Sequence, residues 1–151
     1  MSKYTLQGAT LQDGTVANIV VEDSRITSVG NETSGEVIDV TGLIALPGFV
    51  DLHTHLREPG YEASETILTG SRAAAMGGFT AVHAMANTLP VQDSAGVVEQ
   101  VLSLGAEAGL VHVQPVGAVT VGLEGKQLAE LGTMAASKAN VRVFSDDGKC
   151  V

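Results

Sequence analysis

Cysteine, tryptophan and basic residues are scarce in this sequence of 151 residues, and each scarcity rules something out. The one cysteine, Cys150, has no partner for an internal disulfide, which fits a reducing, cytoplasmic setting. There is no Trp, and aromatics make up only 3%, so a core has to be built from Val, Leu, Ile, Ala and Met. Eight Lys and Arg against seventeen Asp and Glu give a net charge of −9. That balance argues against a nucleic-acid or anionic-membrane surface, which needs basic clusters. No apolar run reaches the ~18–20 residues of a membrane span. Met1-Ser2-Lys3-Tyr4 does not lead into the apolar stretch of a signal peptide.

What is present is a core-forming composition, 44% hydrophobic and 17% charged. Residues 1–46 read as a small β-rich segment. Thr15–Val21, Arg25–Val29 and Glu36–Val40 are short strand candidates, separated by Glu22-Asp23-Ser24 and other turn residues, and their close spacing predicts a small antiparallel sheet. From Pro47-Gly48 onward the pattern becomes strand and helix in alternation. Strands are predicted at 49–53, 79–85, 110–116 and 141–144, with helices at about 64–76, 94–108 and 123–137. Gly77-Gly78 and Gly109 act as stops, and Asp93 or Ser94 as a cap. This βαβαβαβ order belongs to a parallel α/β fold with strands buried on both faces. A doubly wound sheet and a barrel both fit it. An eight-fold barrel needs ~250 residues, so residues 47–151 would hold its first half.

Three segments carry chemistry. In Asp51-Leu52-His53-Thr54-His55-Leu56-Arg57-Glu58-Pro59-Gly60, period-two alternation sets His53 and His55 on one side of a strand, where two imidazoles can share a metal ion. Asp51 has the same parity and is either a ligand or a supporting group. Arg57 can clamp a carboxylate by bidentate hydrogen bonding. Phe144-Ser145-Asp146-Asp147-Gly148 ends the fourth predicted strand with adjacent carboxylates that can ligate a metal or form a turn. Met85-Ala86-Asn87-Thr88 ends the second, with an Asn able to bind substrate or to shape a turn. His83 and His112 lie inside strands and read as wall residues, not ligands.

Together these runs resemble the dihydroorotases of the amidohydrolase superfamily. The likeness rests on Gly48 to Gly60, Gly77-Gly78-Phe79-Thr80, Met85 to Thr88 and Phe144 to Gly148, in the same order. It implies the N-terminal part of a (β/α)8 TIM-type barrel, preceded by part of a composite β-sandwich built from both chain ends. It implies zinc, one or two ions, with His53, His55 and Asp147 as ligands, Asp147 being taken over Asp146 as the last Asp before Gly. His55, Arg57 and Asn87 would bind the substrate. The implied reaction interconverts L-dihydroorotate and N-carbamoyl-L-aspartate in pyrimidine (UMP) biosynthesis. A homo-oligomer and an aspartate carbamoyltransferase partner are further implied.

Ala86 departs from the proline usual in the family, a change in loop stiffness more than in chemistry. Two other readings stand beside this one. The first is an allantoinase or hydantoinase, against which Arg57 and the absence of a lysine at Asp147 both speak. The second is an inactive homologue that serves aspartate carbamoyltransferase structurally. Further metal-binding histidines and the catalytic aspartate are expected beyond Val151, so no catalytic residue is assigned within the chain. The 151-residue chain, purified and supplied with zinc, is therefore expected not to turn over dihydroorotate. Turnover at an ordinary enzyme rate in that assay would refute the expectation.

Overall fold

Two positive-φ residues between short apolar strands begin the first unit. The computed structural model describes residues 2–149; Cys150 lies outside them. Asp23 and Ser24, at φ 49° and 64°, join β2 (Val16–Glu22) to β3 (Arg25–Gly30). Such a left-handed pair matches the twist of a two-residue hairpin. β1 (Lys3–Thr10) pairs antiparallel with β2, and β4 (Glu36–Asp39) adds to the other edge of β1, giving the order β3-β2-β1-β4. The register of β1 slips between Leu6 and Ala9, where Gly8 takes φ 79° and a Cβ would strike the Thr41 hydroxyl. Ala9, Ile19 and Val21 form a small core, flanked by Tyr4, Leu6 and Leu11.

The structure departs from expectation here in two ways. β4 runs parallel to β1, so the sheet is mixed, because the 31–35 segment carries the chain back before it pairs. β1 itself is not singled out by pattern, since Gly8 breaks the alternation that Tyr4 and Leu6 begin.

Residues 48–151 form a separate compact unit. β5 (Phe49–Thr54), β6 (Phe79–Ala84) and β7 (His112–Pro115) pair in parallel in that order. Gly117 bridges Phe144 in parallel, which carries the same sequential order to a fourth position. Strands that add one after another without reversing belong to a barrel-type winding, not to a doubly wound sheet.

α1 (Ile67–Met76) and α2 (Ala95–Ala108) cover one face, burying Ile67, Val82, Ala84, Val101 and Val113 together with Leu56. α1 starts where Thr66 and Thr69 form a reciprocal capping box, and the Ile67 N–H donates to the Glu58 carboxylate at 2.7 Å. Ser94 takes the N-cap position of α2 without a side-chain bond, and Gly109 ends that helix at φ 65°.

Three expectations for this unit need correction. Only the single bridge at Phe144 stands in for the strand expected at 141–144, although Val141 is fully buried beside Val98 and Met134. The helix expected at 123–137 contracts to α3 (Leu131–Ala136), after a 3-10 turn at Val121–Leu123. Gly122 and Gly125 at positive φ prevent an earlier start, and the Gly122 N–H is taken by the Asp93 carboxylate at 2.9 Å. β5 is not buried on both faces: among the described residues it pairs with β6 alone, and Leu52 is 66% exposed.

The packing of α2 on the sheet is tight at Gly105, where an added Cβ would lie 2.5 Å from Val113 Cβ. At Gly96 in the same helix nothing lies within 4 Å. Gly105→Ala should therefore destabilise the chain by about 1–3 kcal/mol through overpacking. Gly96→Ala should stabilise it by roughly 0.5–1 kcal/mol through helix propensity. Thermal melts of the two variants check both signs.

Candidate metal centre

The C-terminal ends of parallel strands bring side chains from several strands together in front of the loops that follow them. His53 and His55 leave the end of β5, Asn87 follows β6, and Asp147 follows the Phe144 bridge. Irregular pairing between Asp51 and Thr54 marks the end of the β5 ladder. The rings of His53 and His55 stand edge to face, with centroids 5.2 Å apart.

The Asp147 carboxylate reaches both rings. One oxygen is 2.9 Å from His53 Nε2 and the other 3.6 Å from His55 Nδ1. One ligand atom from each of the three residues lies within 4.8 Å of the others, and among the described residues this is the one such cluster of His, Cys, Asp or Glu. Two imidazole nitrogens and a carboxylate oxygen are a donor set that suits zinc and neighbouring divalent metals, so the residues fit a metal ion.

Asn87 spans the same group. Its Nδ2 donates to Asp147 Oδ2 at 2.7 Å, and its Oδ1 lies 3.1 Å from His55 Nδ1. A carboxamide oxygen only accepts, so this contact puts the ring proton on Nδ1 and leaves the Nε2 lone pair free for a cation. Asn87 thus touches two of the three candidate ligands as well as the neighbouring cavity.

That cavity measures about 580 Å³ and is lined by Arg57, Tyr61, Ser64, Asn87, Thr88 and Lys149, among others. Arg57 and Asp147 both hold left-handed backbone, at φ 60° and 38°. For an arginine in particular that conformation is costly. Arg57 is kept there because the segment after it is stitched in place. Tyr61 N donates to Arg57 O, Leu89 N donates to Pro59 O, and Gly60 sits so close to Leu89 that a Cβ would overlap its carbonyl.

The adjacent carboxylates divide sharply. Asp147 turns to the histidines, while Asp146 turns inward and is 4% exposed. Asp146 accepts from Val119 N, Thr120 N and Thr120 Oγ1 at 2.8, 3.0 and 2.6 Å. Burial alone would raise its pKa, but the hydrogen bonds from Thr120 and Val119 and the charge of Lys149 outweigh it and hold the carboxyl below its ordinary range.

Asp51 is occupied elsewhere, accepting from His53 N at 3.0 Å. His112 pairs with Gln114 at 3.2 Å, and His83 Nδ1 is buried without a hydrogen-bond partner among the described residues; neither joins the cluster. Sequence reasoning missed Tyr61, Ser64 and Lys149, which line the cavity from loops with no pattern to mark them, and it quoted Thr88 within the Asn87 run without giving it a role. It also missed the anchoring of Asp146. The Ser-Asp-Asp-Gly run could have suggested that two adjacent carboxylates must face opposite ways.

A family model described as "Dihydro-orotase-like" matches residues 42–151. A dihydroorotase from Leifsonia xyli subsp. xyli is 64% identical over 98% of this chain and 34% of its own length. Those of Streptomyces coelicolor and Mycobacterium tuberculosis are 58% and 56% identical, over 100% and 92% of the chain and 36% and 33% of their own lengths. The chain thus spans about a third of the length of these curated relatives. Among solved structures, an L-hydantoinase (dihydropyrimidinase) from Arthrobacter aurescens superposes with a TM-score of 0.68 at 24% identity, over 82% of this chain and 29% of that one. A dihydropyrimidinase from Brevibacillus agri gives 0.57 at 25%, over 78% and 27%. The α/β unit therefore corresponds to the N-terminal part of an amidohydrolase-type barrel.

If Asn87 holds His55 and Asp147 in place, Asn87→Ala should weaken zinc binding roughly tenfold, the usual cost of losing a group that orients ligands. Competition with a chromophoric chelator measures this. Unchanged affinity would remove Asn87 from that role.

Proposed function

Because the chain belongs to the dihydro-orotase-like family, we propose that residues 48–149 carry the first part of a zinc-dependent dihydroorotase site. The observation that carries the reading is the convergence of His53, His55 and Asp147 on one point beside an Arg57-lined cavity. The substrate is L-dihydroorotate, whose ring amide is opened to N-carbamoyl-L-aspartate in pyrimidine synthesis, or the reverse.

His53 and His55 offer neutral nitrogen donors, and Asp147 offers a hard anionic oxygen. When bound, zinc supplies Lewis-acid polarisation and water activation near neutral pH. Asn87 keeps the His55 proton on Nδ1 and steadies the Asp147 oxygen it touches. Arg57 takes the substrate's carboxylate with its planar fork, away from the bond that breaks. A cavity of about 580 Å³ is ample for a substrate of this size. The remaining ligands and the proton-transferring carboxylate belong to the rest of a full-length dihydroorotase.

Arg57 also separates this reading from the hydantoinase one, since hydantoins need not carry a carboxylate. Three measurements on the full-length protein test the proposal. Zinc should co-purify with it and be lost in a His53→Ala/His55→Ala variant. Arg57→Lys should raise KM for dihydroorotate on the order of tenfold, because a point charge cannot replace the bidentate pair. A substrate panel in which hydantoin or allantoin outruns dihydroorotate would overturn the assignment.

A further inference from the structure

Asp147 must aim its carboxylate at two histidines from a loop, at φ 38°, with Gly148 at φ 76° just after it. Asp147 N donates to Ser145 Oγ at 3.1 Å, and Ser145 N donates to Gly117 O at 2.9 Å. The firm anchor is the neighbour. Asp146 is buried and gives both carboxylate oxygens to the 119–120 backbone and the Thr120 hydroxyl. Thr120 is itself 2% exposed, and its Oγ1 also accepts from Gly125 N at 2.9 Å, closing the 120–125 turn. Gly122 and Leu123 of that turn line the same cavity as Arg57.

Resting on the metal reading of His53, His55 and Asp147, we infer that Asp146 is a positioning residue that ties the metal carboxylate to the wall of the substrate cavity. A carboxylate at this place satisfies three donors at once, and no shorter side chain reaches them. With it, the backbone at 146 is fixed and the Asp147 side chain has one direction. Without it, Val119 N and Thr120 N lose their acceptor, the 120–125 turn loosens, and Asp147 no longer meets the histidines in one geometry.

The test is titration of the full-length protein with Co²⁺, read by its d–d absorption, with thermal melts alongside. Asp146→Ala should weaken Co²⁺ binding at least tenfold and alter the absorption envelope. Asp146→Asn should stay within about threefold of the parent, since its oxygen still accepts both backbone N–H groups and its amide can donate to Thr120 Oγ1. Gly105→Ala, destabilised at a distant packing contact, should keep the parent's affinity and spectrum.

Parental affinity in Asp146→Ala, or an equal loss in Gly105→Ala, would overturn the inference while leaving the metal reading intact. Failure of the parent protein to bind Co²⁺ at all would sink the metal reading and this inference with it. Should Asp146→Ala not fold, Thr120→Val decides: it removes the hydroxyl's bond to Asp146 and the acceptor of Gly125 N, so the Asp146–turn tie is cut on the turn's side; binding should weaken about threefold, and parental affinity there would also overturn the inference.

Discussion

A carboxylate on a loop meeting two imidazoles at the end of a strand is the contact around which the α/β unit is organised. Asp147 retains only 11% side-chain exposure, and a carboxylate so covered needs partners to offset the loss of water. It finds them in His53 and Asn87, which arrive from the ends of β5 and β6. The parallel order β5-β6-β7, continued by the Gly117–Phe144 bridge, is what brings all these ends to one side. The helices do their part from behind: Val82, Ala84 and Val113 are buried against α1 and α2, so the strands that carry the polar ends cannot shift independently.

Polar groups then transmit that rigidity outward into the loops. Glu58 ties the segment after Arg57 to the start of α1, Gly60 locks it against Leu89, and Asp93 and Asp146 fasten the 120–125 turn from two sides. Each of these carboxylates accepts backbone N–H groups that would otherwise lack partners. The loops around the cavity are thus held by carboxylate-to-backbone hydrogen bonds together with a small buried apolar cluster of Ala86, Ala118 and Leu123.

How much of this was legible in the sequence depends on the length scale of the signal. Period-two parity put His53 and His55 together, and Gly77-Gly78 and Gly109 ended helices where expected, because these are local effects of one or two residues. The triad's third member came from a family likeness, since no local rule distinguishes Asp146 from Asp147. The helix expected from 123, weakened in its own sequence by Gly125 and Gly132, starts late because Gly122 and Gly125 hold positive φ and the Asp93 carboxylate takes the Gly122 N–H. The strand expected at 141–144 keeps only its bridge at Phe144. β1 escaped notice because Gly8 breaks its alternation to fit beneath Thr41. Tertiary hydrogen bonds of this kind leave no periodicity to read.

The left-handed backbone at Arg57 has an evolutionary corollary. An arginine there sacrifices about 1–2 kcal/mol that glycine would recover, against a total folding stability of only about 5–15 kcal/mol. A change to glycine there would relieve the backbone and lose the guanidinium, so selection for stability and selection for charge oppose each other at this position. Arg57 is a place where the fold gives up stability while setting a positive charge against the cavity it lines.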